Sequence, residues 1–181
     1  MGENAIIRTE RLILRPLALS DLETAHIYAG DVNDTKYMVY LPNETMQETE
    51  WFLQRVVSEW ETDIPSFFEF AVVFEEKHIG AVSISLDASG EEGELGWIIN
   101  KKYQENGYAT EAAKAVMNFA VNKLGVKKIV VHCDYRNISS CRVMQKIGLL
   151  MESDSGTRRY RDRDEDVPEY KYSLVIERQE V

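Results

Sequence analysis

The sequence predicts a mixed α/β (α+β) domain, and three observations carry that expectation. Two stretches join a capping signal to helical apolar spacing: Ser20-Asp21-Leu22-Glu23, and Thr45-Met46-Gln47-Glu48 followed by Leu53, Val56, Val57 and Trp60. Runs rich in β-branched and aromatic residues at 67–74, 78–86, 94–99 and 127–133 read as strands. Strand runs and helical runs are interleaved along the chain rather than segregated. With 181 residues, 44% hydrophobic and 29% charged, the chain reads as a single domain spanning 1–181, with its core over about 7–176.

Taken in order, residues 7–17 form an opening strand with Leu12, Leu14 and Pro16 on one face and Pro16 near its end. Ser20 is expected to cap a helix that stops at Gly30, with Glu23 reaching back. Residues 31–43 carry Tyr37, Met38, Tyr40 and Leu41, too apolar for a free loop, and Pro42 closes this packed connector. The Thr45 helix ends before Pro65. Residues 67–74 and 78–86 flank Glu75-Glu76-Lys77 as a hairpin, with His78 expected on the surface at its edge. A polar loop over 87–93 leads to the strand 94–99. The helix from Tyr108 to Leu124 presents Ala112, Val116, Phe119, Ala120 and Leu124 on one face, and Gly125 stops it. The β-branched run 127–133 is a buried strand. A shorter helix starts at Asn137 or Ile138 and ends at Ile147 with Gly148 as its cap. Residues 149–153 and 169–176 are the last strands, and the charged run 158–163 between them reads as a solvated loop.

Composition excludes several function classes. The formal charge is −10, which disfavours nucleic acid, since that partner needs a basic footprint. An acidic surface attracts cationic substrates, or simply keeps the protein soluble. No apolar run approaches the ~18 residues that span a bilayer, so no membrane partner is expected. Met1-Gly2-Glu3-Asn4-Ala5-Ile6 has neither a basic start nor an apolar stretch, so it reads as no signal peptide, and Ile6 spoils a myristoylation reading of Gly2. Cys133 and Cys141 make no disulfide framework; they read as small buried residues of a cytoplasmic protein. His132 and Cys133 face opposite sides of their strand. No metal-ligand set is assigned.

The functional signal lies where the strand 94–99 turns into the helix at Tyr108. A helix N-terminus leaves about four N–H donors unpaired and carries roughly half a positive charge, a seat for phosphate. Gly107 lacks a side chain that would block the approach and accepts φ > 0. Neither G-x-G-x-x-G nor G-x-x-x-x-G-K-[ST] is present. Gln104-x-x-Gly107-x-Ala109 resembles the pyrophosphate signature Q/R-x-x-G-x-G/A of the GNAT family of N-acetyltransferases. Gly107-Tyr108-Ala109-Thr110-Glu111-Ala112 is typical of the branch containing the ribosomal-protein N-terminal (alanine/serine) acetyltransferases. A second block, Asn137-Ile138-Ser139-Ser140 with Met144-Gln145-Lys146-Ile147-Gly148-Leu149, resembles N-x-x-S…m-x-K-x-G-F of that branch at the right spacing.

The resemblance implies a central, largely antiparallel sheet with helices on both faces, and acetyl transfer from acetyl-CoA to a primary amine in a ternary complex. It implies that backbone N–H groups over Gln104, Glu105, Asn106, Gly107, Tyr108, Ala109 and Thr110 hold the pyrophosphate. The amide-rich arm pairs with the open strand edge at Ile98 and Ile99, where a bulge aims the Ile99 N–H at the thioester oxygen. Asn137 either contacts the arm or only caps its helix. The acceptor must lose a proton: at neutral pH this costs about 3–5 kcal/mol for a lysine-like amine and about 1 for an α-amine. Glu94 stands where the family often places a carboxylate for that proton, and it can equally be an ordinary strand-edge glutamate; Glu69, the second choice, interrupts the apolar run 67–70 and so either faces solvent or is buried for a reason. Met144 occupies the position of a tyrosine that protonates the leaving thiolate in many members; in the ribosomal-protein branch, which also lacks it, Ser140 matches the proposed donor. The acceptor, whether a peptide N-terminus, a polyamine or an aminoglycoside, is left open, as is a non-catalytic acyl-CoA-binding module. Residues 31–43 and 156–168 are expected at the acceptor. Homodimers are common in the family, but no interface can be read from the sequence.

Overall fold

A computed structural model describes residues 5–161, 164 and 166–177. The leader reading on residues 1–4, and Asp162, Arg163 and Glu165 of the charged connection, lie outside these. Among the described residues, eight strands form a single sheet: β1 Ile7–Arg8, β2 Leu12–Pro16, β3 Phe67–Phe74, β4 Lys77–Leu86, β5 Glu92–Ile99, β6 Lys128–Asp134, β7 Leu150–Arg159 and β8 Asp166–Val175. The helices are α1 Leu22–Ala29, α2 Met46–Trp60, α3 Tyr108–Phe119 and α4 Ile138–Lys146. Strand order is β1-β2-β3-β4-β5-β6-β8-β7. Every pairing is antiparallel except β5 with β6. This is the mixed domain expected from the sequence pattern, with the largely antiparallel sheet that the family resemblance implies.

Strand alternation sorts the side chains into two faces. Phe68, Ile84 and Leu95 form one cross-strand row, and Phe70, Val82 and Trp97 the next. Trp60 of α2 and Phe119 of α3 stand edge-on to both Phe68 and Phe70, with centroids 5.0 to 5.8 Å apart. Each such pair contributes about 0.5–1.5 kcal/mol beyond its burial. The predicted helical stripes are buried here: Leu53, Val56 and Trp60 from α2, and Ala112, Val116 and Ala120 from the α3 segment. Cys133 lies on this face too, with its Sγ 3.7 Å from that of Cys141 on α4. The opposite face carries the rows Glu69–Ser83–Gly96 and Phe67–Ser85–Glu94. Tyr28 of α1 lies near enough to the Glu69 carboxyl to feel its charge.

Several local expectations change. Thr45 caps α2 as predicted, accepting from the Glu48 N–H, but the Glu48 carboxylate reaches the Glu44 N–H instead of that of Thr45. The Ser20 box does not form: Ser20 lies in a 3₁₀ turn, and Asp21 accepts from the Ala18 N–H. Asp21 is drawn inward by Arg15, whose guanidinium grips both its oxygens at 2.6 and 2.7 Å. His78 is not a surface residue: its side chain is 4% exposed, and its ring bonds to Thr24 Oγ1 and the Gly80 carbonyl oxygen. Tyr40, expected to pack, is exposed, whereas Met38 and Leu41 do lean on the core. The last two strands are longer than predicted. Arg158 and Arg159 belong to β7 rather than to a solvated loop, because Glu169 and Asp166 across the hairpin pair with them.

Candidate functional site

β5 and β6 run parallel, but they pair only at Glu92↔Lys128, Gly93↔Ile129 and Glu94↔Val130. Beyond Glu94 the strands part, and a crevice opens between residues 95–99 and 131–134. The Asn100 N–H bonds to the Ile79 carbonyl, and the Glu92 carbonyl accepts from Asp87. Even-numbered residues of β5 therefore turn their backbone groups to β4, and Leu95, Trp97 and Ile99 turn theirs into the crevice. The bulge expected near Ile99 is absent: the β4–β5 ladder runs without a register shift from Gly80↔Ile99 to Leu86↔Gly93. It is the departure of β6 that frees this edge. The shift that does occur lies between Val72 and Val73, in the β3–β4 ladder.

Because the two strands are parallel, both leave the sheet at the mouth of the crevice, the usual ligand position in such arrangements. The segment after β5 leads to the N-terminus of α3. Gly107 has φ = +82°, and Glu105 also lies in the left-handed region at +64°. The Gln104 N–H is taken by the Lys101 carbonyl at 3.3 Å, so Gln104 joins the seat differently from the expectation that its N–H is a free donor. Its side chain donates to the Ile99 carbonyl at 2.7 Å and ties the turn to the strand end. The Glu111 N–H already bonds to the Gly107 carbonyl, and among the described residues the N–H groups of Tyr108, Ala109 and Thr110 find no backbone partner, as expected of a first helical turn. Glu111 would set a negative charge beside them. Instead its carboxylate is turned back to the β1–β2 connection, accepting from Thr9 Oγ1 at 2.6 Å, the Arg11 N–H at 2.9 Å and Arg11 Nε at 2.8 Å. Burial alone would raise the Glu111 carboxyl; these bonds hold it below its ordinary range. Arg11 also donates to the Asn106 carbonyl at 3.0 Å and covers the Tyr108 ring at 4.7 Å.

The segment after β6 leads to α4. Asn137 Oδ1 accepts the Ser140 N–H at 3.1 Å, so Asn137 caps α4. Ser140 is half-buried in the first turn. Met144 is fully buried and packs in the core. The approach to this helix is pinned by Asp134, itself fully buried: Arg136 grips both its oxygens at 2.9 and 2.6 Å, and the Tyr160 hydroxyl donates at 2.5 Å. Burial pushes the Asp134 carboxyl up, but these donors overcome it and bring the group down to about 2.

The face away from α3 and α4 holds the titratable groups. Glu94 sits at the apex of the crevice, and its carboxylate lies 2.9 Å from Nδ1 of His132, two residues beyond Val130 on β6. The hydrogen bond to Glu94 raises the imidazole above its ordinary range. As expected, His132 and Cys133 face opposite sides. Glu69 lies two strands away along the same face, buried, and burial raises its carboxyl to about 8 despite a hydrogen bond from Ser83. Ile98 and Ile99 are buried along β5. Sequence reasoning missed Arg11 and His132. Arg11 contacts residues about a hundred positions away, which no local pattern signals. The parallel pairing that brings His132 to Glu94 could have been suspected from two strands joined by one helix.

Residues 11–150 match the acetyltransferase (GNAT) domain family model. An uncharacterised N-acetyltransferase of Bacillus subtilis, YnaD, is 30% identical over 146 residues, covering 81% of this chain and 83% of that one. The spermidine N(1)-acetyltransferase of Escherichia coli is 25% identical over 142 residues, covering 78% of this chain and 74% of that one. Among solved structures, a GNAT-family acetyltransferase from Bacillus anthracis superposes with TM-score 0.78 at 27% identity, covering 94% of this chain and 98% of that one. A ribosomal alpha-N-protein acetyltransferase in complex with coenzyme A superposes with TM-score 0.82 at 16% identity, over the same shares. A parted parallel strand pair, two helix N-termini at its mouth and this family match lead to one assignment: the chain belongs to the GNAT family and is an N-acetyltransferase.

Proposed function

We propose that the protein moves the acetyl group of acetyl-CoA to a primary amine in a ternary complex, with a peptide or protein N-terminal α-amine as the first acceptor. The observation that carries this reading is the crevice between β5 and β6 with the N-termini of α3 and α4 at its mouth. The residues fit the donor chemically. Unpaired N–H groups of Tyr108, Ala109 and Thr110, beside the left-handed Gly107, suit a pyrophosphate. The crevice-facing backbone of Trp97 and Ile99 suits an extended amide arm, with Ile98 and Asn137 alongside it. The Ile99 N–H is aimed at the thioester oxygen. Ser140 donates to the departing sulfur, a role that buried Met144 cannot fill. The proton of the amine leaves toward the Glu94 carboxylate and its hydrogen-bonded partner His132. The two reduced, buried cysteines suit the cytoplasm as the working compartment.

A second acceptor class, a polyamine, is favoured by the formal charge of −10 and by the relative named as a spermidine acetyltransferase. The test is thiol release from acetyl-CoA with peptides bearing N-terminal Ala or Ser, spermidine, an aminoglycoside and a lysine peptide. Turnover on the α-amine peptides supports the first reading, and preference for spermidine replaces it with the second. A thermal shift with acetyl-CoA but no turnover on any amine points to a binding module and overturns both.

A further inference from the structure

The pair at the apex of the crevice allows a finer assignment, which rests on the acetyltransferase reading above. We propose that His132 is the catalytic base that takes the proton of the acceptor amine, and that Glu94 is a positioning residue that orients the ring. A carboxylate only accepts hydrogen bonds, so the 2.9 Å contact fixes the proton on Nδ1 and leaves the lone pair of Nε2 outward. No protein partner for Nε2 is found among the described residues. The ring is 29% exposed, open enough to meet an amine directly or through one water.

The placement follows from the fold. α3 and α4 cover one face of the parted strands, and their N-termini receive the donor. The acceptor must reach the thioester from the other face, the one carrying Glu94 and His132. His132 stands on β6 just past the last paired residue, Val130, on the wall of the crevice, whereas Glu94 stands behind it where the strands still pair. The other charged groups near the ring are already paired. Lys171 of β8, opposite His132, bonds to Glu152 of β7 at 3.1 Å, and Glu169 of β8 bonds to Arg158 of β7 at 2.7 Å. Glu94 is thus the group that bonds the ring directly. Glu94 and Glu169 favour the protonated ring, while Lys171 and burial oppose it.

The step balances. The ammonium form of the acceptor gives one proton to Nε2 of His132. The freed nitrogen lone pair forms the C–N bond to the acetyl carbon. The C–S bond breaks, its electron pair leaving on sulfur, and the second amine proton ends on that thiolate. The imidazolium then loses its proton to solvent, so the net products are the amide, the thiol and one proton.

The experiment is the pH profile of kcat/KM for an N-terminal Ser peptide and for spermidine, in the wild type, His132→Gln and Glu94→Gln, beside an NMR titration of the His132 ring. The wild type should show a limb rising with pH through the His132 titration. His132→Gln should lose that limb and about 100-fold in kcat/KM at pH 7, with KM for acetyl-CoA unchanged. Glu94→Gln should keep the limb and shift it to lower pH, in step with the NMR titration, because the charge that favours the imidazolium is gone. If Glu94→Gln abolishes the limb instead, or His132→Gln keeps it within threefold of wild-type activity, the proposal is wrong while the acetyltransferase reading stands. A wild type that acetylates no amine overturns both.

Discussion

Replacing Gly107 by alanine tests the phosphate seat most directly. Gly107 sits at φ = +82°. A Cβ there would come no nearer than 3.5 Å to Arg11 Nη2, an ordinary contact, so crowding contributes little. The cost is the left-handed backbone itself, about 1–2 kcal/mol for a residue with a Cβ. For a chain of this size about 1 kcal/mol moves Tm by ~2–4 °C, so a fall of ~2–8 °C is expected. The methyl group also narrows the approach of an anion to the surrounding N–H groups. Losing one hydrogen bond to a charged group removes about 1.5–3 kcal/mol. At ~1.4 kcal/mol per tenfold, that weakens acetyl-CoA binding by about 10- to 100-fold. Gly90 provides the control: φ is +71° and nothing lies within 4 Å of where a Cβ would stand, yet it turns the chain between β4 and β5, at the far end of β5 from α3. Gly90→Ala should lose the same few degrees and keep full affinity. Thermal melts with calorimetric titration of acetyl-CoA decide the matter. If both variants melt early and Gly107→Ala still binds within twofold of wild type, no pyrophosphate sits at this turn.

Three further outcomes are expected. Arg11→Ala leaves the Thr9 and backbone bonds to Glu111 but removes the guanidinium that offsets its charge near the first turn of α3, which should raise KM for acetyl-CoA about 2- to 5-fold, from ~0.3–1 kcal/mol of helix-end electrostatics, with kcat unchanged; adding Glu111→Gln should restore it in steady-state assays. Asp134→Asn neutralises a buried carboxylate that is paired with half-exposed Arg136 and should cost about 1.5–3 kcal/mol in urea unfolding, the range for hydrogen bonds to a charged group. Because the folded carboxyl titrates at about 2, below its unfolded value, the wild-type contribution is full above pH ~4 and disappears as pH falls toward 2; the variant should lack this acid dependence. The Glu69 carboxyl is raised instead, to about 8, so the folded state holds a proton that the unfolded state has released. Wild-type stability should therefore fall as pH rises from about 5 to 8. Glu69→Gln should flatten that slope and be the more stable protein at pH 8, as read by unfolding at the two pH values.

The parts of this molecule legible in the sequence are those written in short-range pattern. Thr45 announces α2, the alternation around Glu75-Glu76 announces the β3–β4 hairpin, and Gly107 and Gly125 mark the ends of the α3 segment with left-handed φ. The strand, turn and helix of the proposed donor seat were legible for the same reason, since they follow one another within about twenty residues. Long-range electrostatics were not. The Ser20 cap gave way to Asp21, which Arg15 reaches from β2, and His78 went inward because Thr24 and Gly80 offered partners. The bulge implied by resemblance was unnecessary, because a parallel pairing that stops at Glu94 frees the same edge.

The acceptor side shows why substrate choice is harder to read than reaction type. The two segments assigned to it, 31–43 and 156–168, lie far apart in sequence and lack a common period, yet they meet. Arg158 Nη1 donates to the Tyr37 carbonyl at 3.1 Å, and the Arg161 N–H to the Val39 carbonyl at 3.3 Å. Arg161 also reaches Glu48 at the start of α2. Arginines that looked like a solvated basic run are thus fasteners holding the connector against β7. Their charge is largely matched by Glu169, Asp166 and Glu48, so this wall presents little of the positive field that would repel an ammonium group. On the proposed function, an acceptor amine approaching the Glu94–His132 pair would meet a surface whose charges are internally balanced. On that proposal, selection would rest on the shape of the connector, where Tyr40 is exposed, more than on a net field. Reaction chemistry needs a few groups at fixed spacing and leaves a motif; this wall is built from backbone carbonyls and paired charges, which many sequences can supply.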